Sequence, residues 1–483
     1  MLKTFFLPNF PKALFGSAKN RAAEALSIHK KSFESKSLLE VGTLLGRFIP
    51  QDKIFAKTPQ KAGSRERVYS TQVTFWAFFH QVLTRGMPCR DAVRKVQALR
   101  AAKGLKIPDE STSAYCRARS RLDNARLLEA HSHLAGLLDA RAPSEELWQG
   151  KVVKMIDGTG LSMPDTTENQ KEWPQNASQK PGCGFPQMKV VGSFSLAHGG
   201  LLAWTESDQF HHDSKAWRAL WDTFEKGDVV LCDRGFNSYD AMALLSDRGV
   251  DSVMRIHQQR KVDFRRGTRL GKYDCIQILE RPQRPSKSQV TPGEWKKLPD
   301  TLAVRIVRIH VKIPGFRTAK IDVITTLLDS EKYPANALRE LYMRRWAIEL
   351  YFRDIKISLG MDVLRCKTPD MVKKELSMHA IVYNMVRAIM QEASITNNVP
   401  LARLSFKGVV DTLREWSPVF CDSKPKMERQ RLYSSMLSVV ASDEVLERPA
   451  RSEPRAKKRR GKSYQLMTLP RRKMRVSASR RKK

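Results

Sequence analysis

Between Val152 and Ile256 the chain alternates short apolar runs with helical stretches, and that order leaves few architectures open. Val152–Ile156 is an apolar, β-branched run that ends in Asp157-Gly158-Thr159. Val190–Ala197 and Leu201–Thr205 flank His198-Gly199-Gly200 as a hairpin, and Asp228–Cys232 reads as a second buried strand ending at Asp233. A helical pattern at Ser214–Phe224 precedes that strand, a helix at Tyr239–Arg248 follows it, and a strand at Ser252–Ile256 closes the series. Three strands, helix, strand, helix, strand predicts an α/β layer built on a mixed sheet. From 258 to 320 the helical period disappears and turn residues cluster at Arg265-Arg266-Gly267, Pro282, Pro285, Pro292-Gly293 and Pro314-Gly315. This stretch reads as a β-rich insertion with an alternating run at Leu302–Lys312, and Ile321–Leu328 reads as the return strand. A long helix over Ala335–Leu359 is expected next, then helices through Lys373–Glu392.

Upstream the pattern is helical. An N-terminal arm with a helical stretch at Ala22–Phe48 leads into helices expected at Thr74–Leu83, Arg90–Ala102, Ser111–Leu122 and Arg126–Leu138, with a polar break at Pro108–Glu110. Short helices on short connections suggest a helix-turn-helix type module. Ser111 and Thr112 can cap a helix over Ser113–Leu122 that carries Arg117, Arg119 and Arg121 beside Tyr115. Arginines and small polar residues at a helix start suit phosphate contacts and groove insertion, whereas the bland alternative is a solvated charged helix.

Charge tilts that choice toward DNA. Against 50 Asp+Glu stand 86 Lys+Arg, a formal net charge of +36 on 483 residues. Residues 451–483 hold 15 Lys/Arg and one acid, Glu453, so +14 lies in the tail and +22 on the rest. A polyanion partner follows, and nucleic acid fits best because each neutralised phosphate releases condensed counterions. The tail reads as a disordered arm for nonspecific DNA. At 41% hydrophobic residues, wholesale disorder is excluded. No apolar run approaches the ~18 residues of a spanning helix, and Pro8 and Pro11 interrupt any signal-peptide core. A cytoplasmic protein without a membrane partner is expected. The seven cysteines (Cys89, Cys116, Cys183, Cys232, Cys275, Cys366, Cys421) include no C-x-x-C pair, which argues for reduced thiols and against a zinc ribbon. No chemistry is assigned to sulfur.

Chemistry is expected from carboxylates. Asp157 and Asp233 each end an apolar strand before a glycine-containing turn, and in α/β sheets functional groups gather outside the carboxyl ends of strands. Either aspartate alone is better read as a strand terminator, but two side by side would need a bridging cation to stay ionised together. Tyr342, Arg345, Glu349 and Lys356 add a third element. At ~100° per residue their offsets of 0, 3, 7 and 14 place them within roughly 60° on one helix face. A carboxylate among Tyr, Arg and Lys suits a metal ligand surrounded by phosphate-binding groups; a generic charge run would be a solvated face with an Arg345–Glu349 pair. Trp346 reads as helix packing rather than a base-stacking platform, and His211-His212-Asp213 as the start of the Ser214 helix, with Asp213 as cap.

The pattern Tyr342-x2-Arg345-x3-Glu349-x6-Lys356 resembles the Y-(2)-R-(3)-E-(6)-K signature of DDE transposases of the bacterial insertion-sequence-four family. Asp157-Gly158-Thr159 and Asp233-Arg234-Gly235-Phe236 look like that family's other two acidic motifs, and the resemblance spans roughly 70–400. It implies a ribonuclease-H-like core in which Asp157, Asp233 and Glu349 are catalytic and hold two Mg²⁺ ions, with Mn²⁺ able to substitute. Tyr342, Arg345 and Lys356 would grip terminal phosphates. It also implies cut-and-paste transposition: water attack at a transposon end, closure and reopening of a hairpin, and strand transfer into target DNA. The partners implied are double-stranded DNA, as terminal inverted repeats and target, and a second copy of the chain on that DNA, in the cytoplasm of a bacterium at its nucleoid. The expected organisation is a helical DNA-binding region at 1–148, a catalytic core at 149–257 and 321–400, the β-rich insertion at 258–320 before the catalytic glutamate, a helical region at 401–450 and the tail at 451–483. The alternative function is a non-catalytic DNA-binding regulator or a domesticated inactive transposase, against which the three intact acids count.

Overall fold

The computed structural model describes residues 42, 44–55, 68–102, 104–210, 216–257, 259–286, 288–311, 320–420, 425–446, 467–470 and 473–474. Most of the Ala22–Phe48 stretch, the His211-His212-Asp213 cluster and nearly all of the basic tail lie outside these residues.

After a 3₁₀ segment at Gly46–Phe48 and a short helical turn at Gln51–Ile54 come four longer helices: α1 (Thr71–Leu83), α2 (Cys89–Ala102), α3 (Ser113–Ser120) and α4 (Asn124–Ala140). Their starts follow local chemistry. Ser70 caps α1 by accepting from Val73 N, and Asp123 caps α4 by accepting from Ala125 N. At α3 the expected cap differs: Thr112 makes no side-chain cap bond, while Ser111 Oγ accepts from Ser113 N at 3.3 Å.

Then come the strands β1 (Val153–Ser162), β2 (Gln187–Ser195), β3 (Leu201–Asp208), β4 (Val229–Cys232) and β5 (Asp251–Arg255), with α5 (Tyr239–Asp247) between the last two. Where a helix was expected at Ser214–Phe224, the described part is a 3₁₀ segment, Trp217–Thr223. The strands β6 (Thr268–Gly271), β7 (Asp274–Glu280), β8 (Thr301–His310) and β9 (Lys320–Thr325) follow. All nine form one mixed sheet, ordered β3-β2-β1-β4-β5-β9-β8-β7-β6. The β-rich stretch is therefore no separate sheet: β9 returns antiparallel beside β5 and carries β8, β7 and β6 outward.

Alternation along the strands sorts side chains to two layers. Val153, Met155, Val229 and Leu231 face a core shared with the aromatic face of α1 (Phe75, Trp76, Phe78, Phe79) and with the later helices, whereas Ile156, Val230 and Cys232 face Trp217, Trp221 and Met242. Beyond the sheet come α6 (Ala335–Arg344), α7 (Ala347–Arg353), a π-helical turn Asp354–Ser358, and the helices α8 (Pro369–Asn397), α9 (Phe406–Trp416) and α10 (Lys426–Ser442). The single helix expected over Ala335–Leu359 is thus broken at Arg345-Trp346 and rewound as a π turn before Leu359. The middle of α8 is buried on every side, and Asn384 pins the start of β3, accepting from Leu201 N and donating to Leu201 O, both at 2.8 Å. The predicted hairpin turn at His198-Gly199-Gly200 is present; Gly199 takes φ +64, and Arg387 Nε donates to His198 O beneath it. Among the described residues no helix is long and apolar enough to cross a membrane.

Candidate active site

Strands β1 and β4 run parallel, and their last paired residues are Ile156 and Cys232. The next residues are Asp157 and Asp233, so the carboxyl end of β4 is where two acids meet. Asp157 does not end its strand, as expected from the following glycine. It lies mid-strand, opposite Gly192, because β1 continues along the longer β2 after β4 has turned away. Its Oδ1 accepts from Gly158 N at 2.8 Å. Asp233 does begin a turn, the 3₁₀ segment Arg234–Phe236, but its side chain caps nothing. Among the described residues its buried Oδ1 has no hydrogen-bond partner. Burial pushes the Asp157 carboxyl up to about 6; Gly158 N–H and Arg345 oppose that rise, and the charges of Asp233 and Glu349 add to it. The three acids share one electrostatic neighbourhood.

Arg345, in the break between α6 and α7, ties it together. One guanidinium nitrogen lies 3.6 Å from Asp157 Oδ2, the other 3.7 Å from Glu349 Oε1. The Arg345 side chain is 6% exposed, that of Glu349 58%. Its guanidinium rests on the Trp346 ring, 5.0 Å from the centroid. Trp346 also meets Tyr342 edge-on at 6.1 Å, the packing role expected of it. Tyr342 departs from the expected surface stripe. It is fully buried, its hydroxyl has no hydrogen-bond partner among the described residues, and burial raises its pKa. The stripe assumed an unbroken 3.6-residue period, which the Arg345-Trp346 break and the π turn interrupt. Lys356 sits in that π turn and points back at β1, donating to Thr159 Oγ1 at 3.0 Å and Gly160 O at 2.9 Å. Thr159 was visible only as part of the first acidic motif. Its side of β1 borders a cavity of about 600 Å³, lined also by Asn176, Gln187, Lys189 and Gln209.

Among the described residues no three His, Cys, Asp or Glu side chains gather closely enough to hold a metal ion. The expected three-carboxylate ligand set is therefore not closed in this conformation, because Arg345 stands between Asp157 and Glu349. Asp157 and Asp233 alone suit a hard divalent cation: two adjacent carboxylates, one carrying a buried oxygen that no donor among the described residues satisfies.

The arginines of α3 and its C-cap, Arg121, separate. Arg117 and Arg121 are exposed and line a groove of about 1010 Å³ with Arg100, Lys106 and Asp109. Arg119 points the other way. It donates to Gln81 Oε1 at 3.3 Å and lies over the Phe78 and Tyr115 rings, so it packs α3 on α1 instead of facing solvent.

Two acids just beyond the last β1–β4 pair, faced by an Arg-Glu-Lys segment on a strongly basic chain, are an arrangement suited to phosphoryl transfer on nucleic acid. Residues 148–385 match the family model described as "Transposase DDE domain". The transposase InsG for insertion sequence element IS4 of Escherichia coli strain K12 is 24% identical over 327 residues, covering 67% of this chain and 70% of that protein. The transposase for insertion sequence element IS421 of Escherichia coli is 21% identical over 284 residues, covering 53% of this chain and 71% of its own. Among solved structures, a piggyBac transposase synaptic complex with hairpin DNA is matched at TM-score 0.39 and 9% identity, over 84% of this chain and 85% of that one, a likeness too slight to argue from. The chain belongs to the DDE transposases of the insertion-sequence-four type, and its activity is that of a DNA-cleaving insertion-sequence transposase.

Proposed function

We propose that Asp157, Asp233 and Glu349 are the catalytic acids, that they hold divalent cations, two Mg²⁺ ions, and that the sheet around them is a ribonuclease-H-like core. The strand order β3-β2-β1-β4-β5, with β2 alone antiparallel to both its neighbours, supports that reading of the core. The observation that carries the site is that Asp157 and Asp233 follow the last β1–β4 pair, Ile156 and Cys232, side by side, with Arg345 reaching from Asp157 to Glu349. Divalent cations bound there would stabilise the attacking and departing oxygens of an in-line displacement at phosphorus. The chain's own residues prepare for it: Asp157 is held in place by Gly158 N–H, and Lys356 braces β1 at Thr159. Arg345 lies against Asp157 and Glu349, so a terminal phosphate entering there would compete for its guanidinium.

The groove lined by Arg100, Lys106, Arg117 and Arg121 is the proposed duplex-contact surface of the N-terminal helical region, 1–148, with the terminal inverted repeats as its ligand. The cut-and-paste route through a hairpin, and a pair of subunits assembled on DNA, rest on the motif resemblance; so does a place of action at the bacterial nucleoid. The test uses an end-containing duplex and a 3′-hydroxyl oligonucleotide in Mg²⁺. Wild type should nick the end, form a hairpin visible on a denaturing gel and join to target, and Glu349→Gln should bind the duplex without cleaving it. Undiminished cleavage by that variant would overturn the assignment.

A further inference from the structure

Two cysteines to which the sequence reading assigned no chemistry lie together at the junction of α1, α2 and α3. Cys89 opens the first turn of α2 and Cys116 lies on α3, and their sulfurs flank one bonded pair, Gln81 and Arg119, from two sides. Both are half-buried. The polar groups around them are shared. Gln81 Nε2 donates to Met87 O at 3.1 Å and to Cys89 Sγ at 3.5 Å, while Gln81 Oε1 accepts from Tyr115 Oη at 3.0 Å and from Arg119. Arg119 Nη2 lies 4.0 Å from Cys116 Sγ. A cavity of about 310 Å³ opens onto Cys89 and is lined by Arg85, Arg119 and Arg365, enough room and positive charge for a small polar reagent.

We propose that Cys89 and Cys116 form a reactive dithiol that a peroxide converts to a disulfide, stapling α2 to α3. Cys89 is the attacking sulfur. The neighbouring Cys116 thiol holds its pKa below the ordinary thiol range against the effect of burial, with Arg119 and Gln81 adding to it, whereas the Cys116 thiol is pushed up and keeps its proton. The thiolate attacks one peroxide oxygen, the O–O bond breaks, and the departing hydroxide takes up the proton Cys89 has lost, leaving a sulfenic acid and water. Cys116 sulfur then attacks the Cys89 sulfur, the S–O bond breaks, and the Cys116 proton leaves with that oxygen as a second water. Two thiols and one peroxide yield one disulfide and two waters. The cross-link would join the two helices that wall the basic groove.

The experiment exposes the reduced full chain to hydrogen peroxide, blocks the remaining thiols by alkylation and maps disulfides by peptide mass spectrometry. A Cys89–Cys116 cross-link forming first, and reversed by dithiothreitol, is the expected result. In Cys116→Ser, Cys89 should accumulate as a sulfenic acid that dimedone traps. In the unoxidised wild type at pH 6, iodoacetamide should label Cys89 at least about tenfold faster than half-buried Cys183. Oxidation of Cys183 ahead of the pair, a cross-link from Cys89 to Cys366 in its place, or equal labelling of Cys89 and Cys183 would overturn the proposal. The mapping and labelling use the wild-type chain, so they stand even where a variant fails to fold.

Discussion

The helix α3 and the segment Tyr342–Lys356 were read from the same kind of signal, basic residues at helical spacing, and the two behave differently. Along α3 the 3.6-residue period is unbroken. Arg117 and Arg121, four apart, share a solvent face, and Arg119, midway between them, turns inward onto Phe78 and Gln81. Between Tyr342 and Lys356 the period breaks twice, and each residue goes where local geometry sends it: Tyr342 into the core, Arg345 among the acids, Lys356 back to β1. Angular arithmetic works where the helix is regular, and the candidate active site lies where it is not.

The sharpest test of that contrast is catalytic. Asp233→Asn or Glu349→Gln should lower single-turnover end cleavage by at least about 10²-fold with duplex affinity unchanged, whereas no alanine substitution in α3 should slow cleavage of bound DNA. Cleavage surviving in both acid variants would place the chemistry elsewhere.

A pH series addresses the acids directly. Because the folded-state pKa of Asp157 is raised to about 6 from an ordinary 3.8, folding favours its protonated form. The resulting stabilisation is full below pH 3.8 and is lost as pH rises through about 6. In metal-free buffer this contribution amounts to at most about 3 kcal/mol, and Asp157→Asn should flatten the corresponding slope in chemical-denaturation measurements. A wild-type slope that persists in the variant would mean that another group titrates there.

Smaller effects separate the arginines of α3. Arg119→Ala removes a half-buried cation from Gln81 and two aromatic rings and should cost about 1–3 kcal/mol, read as a lower Tm, with the salt dependence of DNA binding unchanged. Arg117→Ala and Arg121→Ala should leave Tm unchanged, and each should reduce the log–log salt slope by about 1. If Arg119→Ala alone changed the slope, the division of the helix into two faces would be wrong.

Much of this architecture is legible in the sequence, because strands and helices announce themselves through burial. Val229–Cys232 is a continuous apolar run and Val153–Ile156 is apolar but for Lys154, which pairs with Asp228, since both faces of the sheet are covered, and the four N-terminal helices appear within a few residues of their expected limits. The two aspartates were identifiable from their places at those runs. Long-range pairings were not. Nothing local in Asp157-Gly158-Thr159 says that β2 outlasts β4 and keeps Asp157 within a strand, and a turn was the natural reading of that glycine. The attachment of the β-rich stretch to the main sheet through β9 is equally nonlocal. The gathering of Cys89 and Cys116 around Gln81 and Arg119 bridges 27 positions that no spacing rule connects, which is why the sequence supports reduced thiols but assigns them no chemistry.

The π turn at Asp354–Ser358 makes the spacing between Glu349 and Lys356 a matter of residue number as well as residue type. A π turn holds one residue more than the α-helical turn it replaces. Deleting the single residue between Asp354 and Lys356 would let the turn relax to regular winding and would move the lysine to a different place in that turn, away from Thr159. Every side chain of the site would still be present in such a chain, and only its register would have changed. At this point the enzyme should tolerate a substitution better than a change of length.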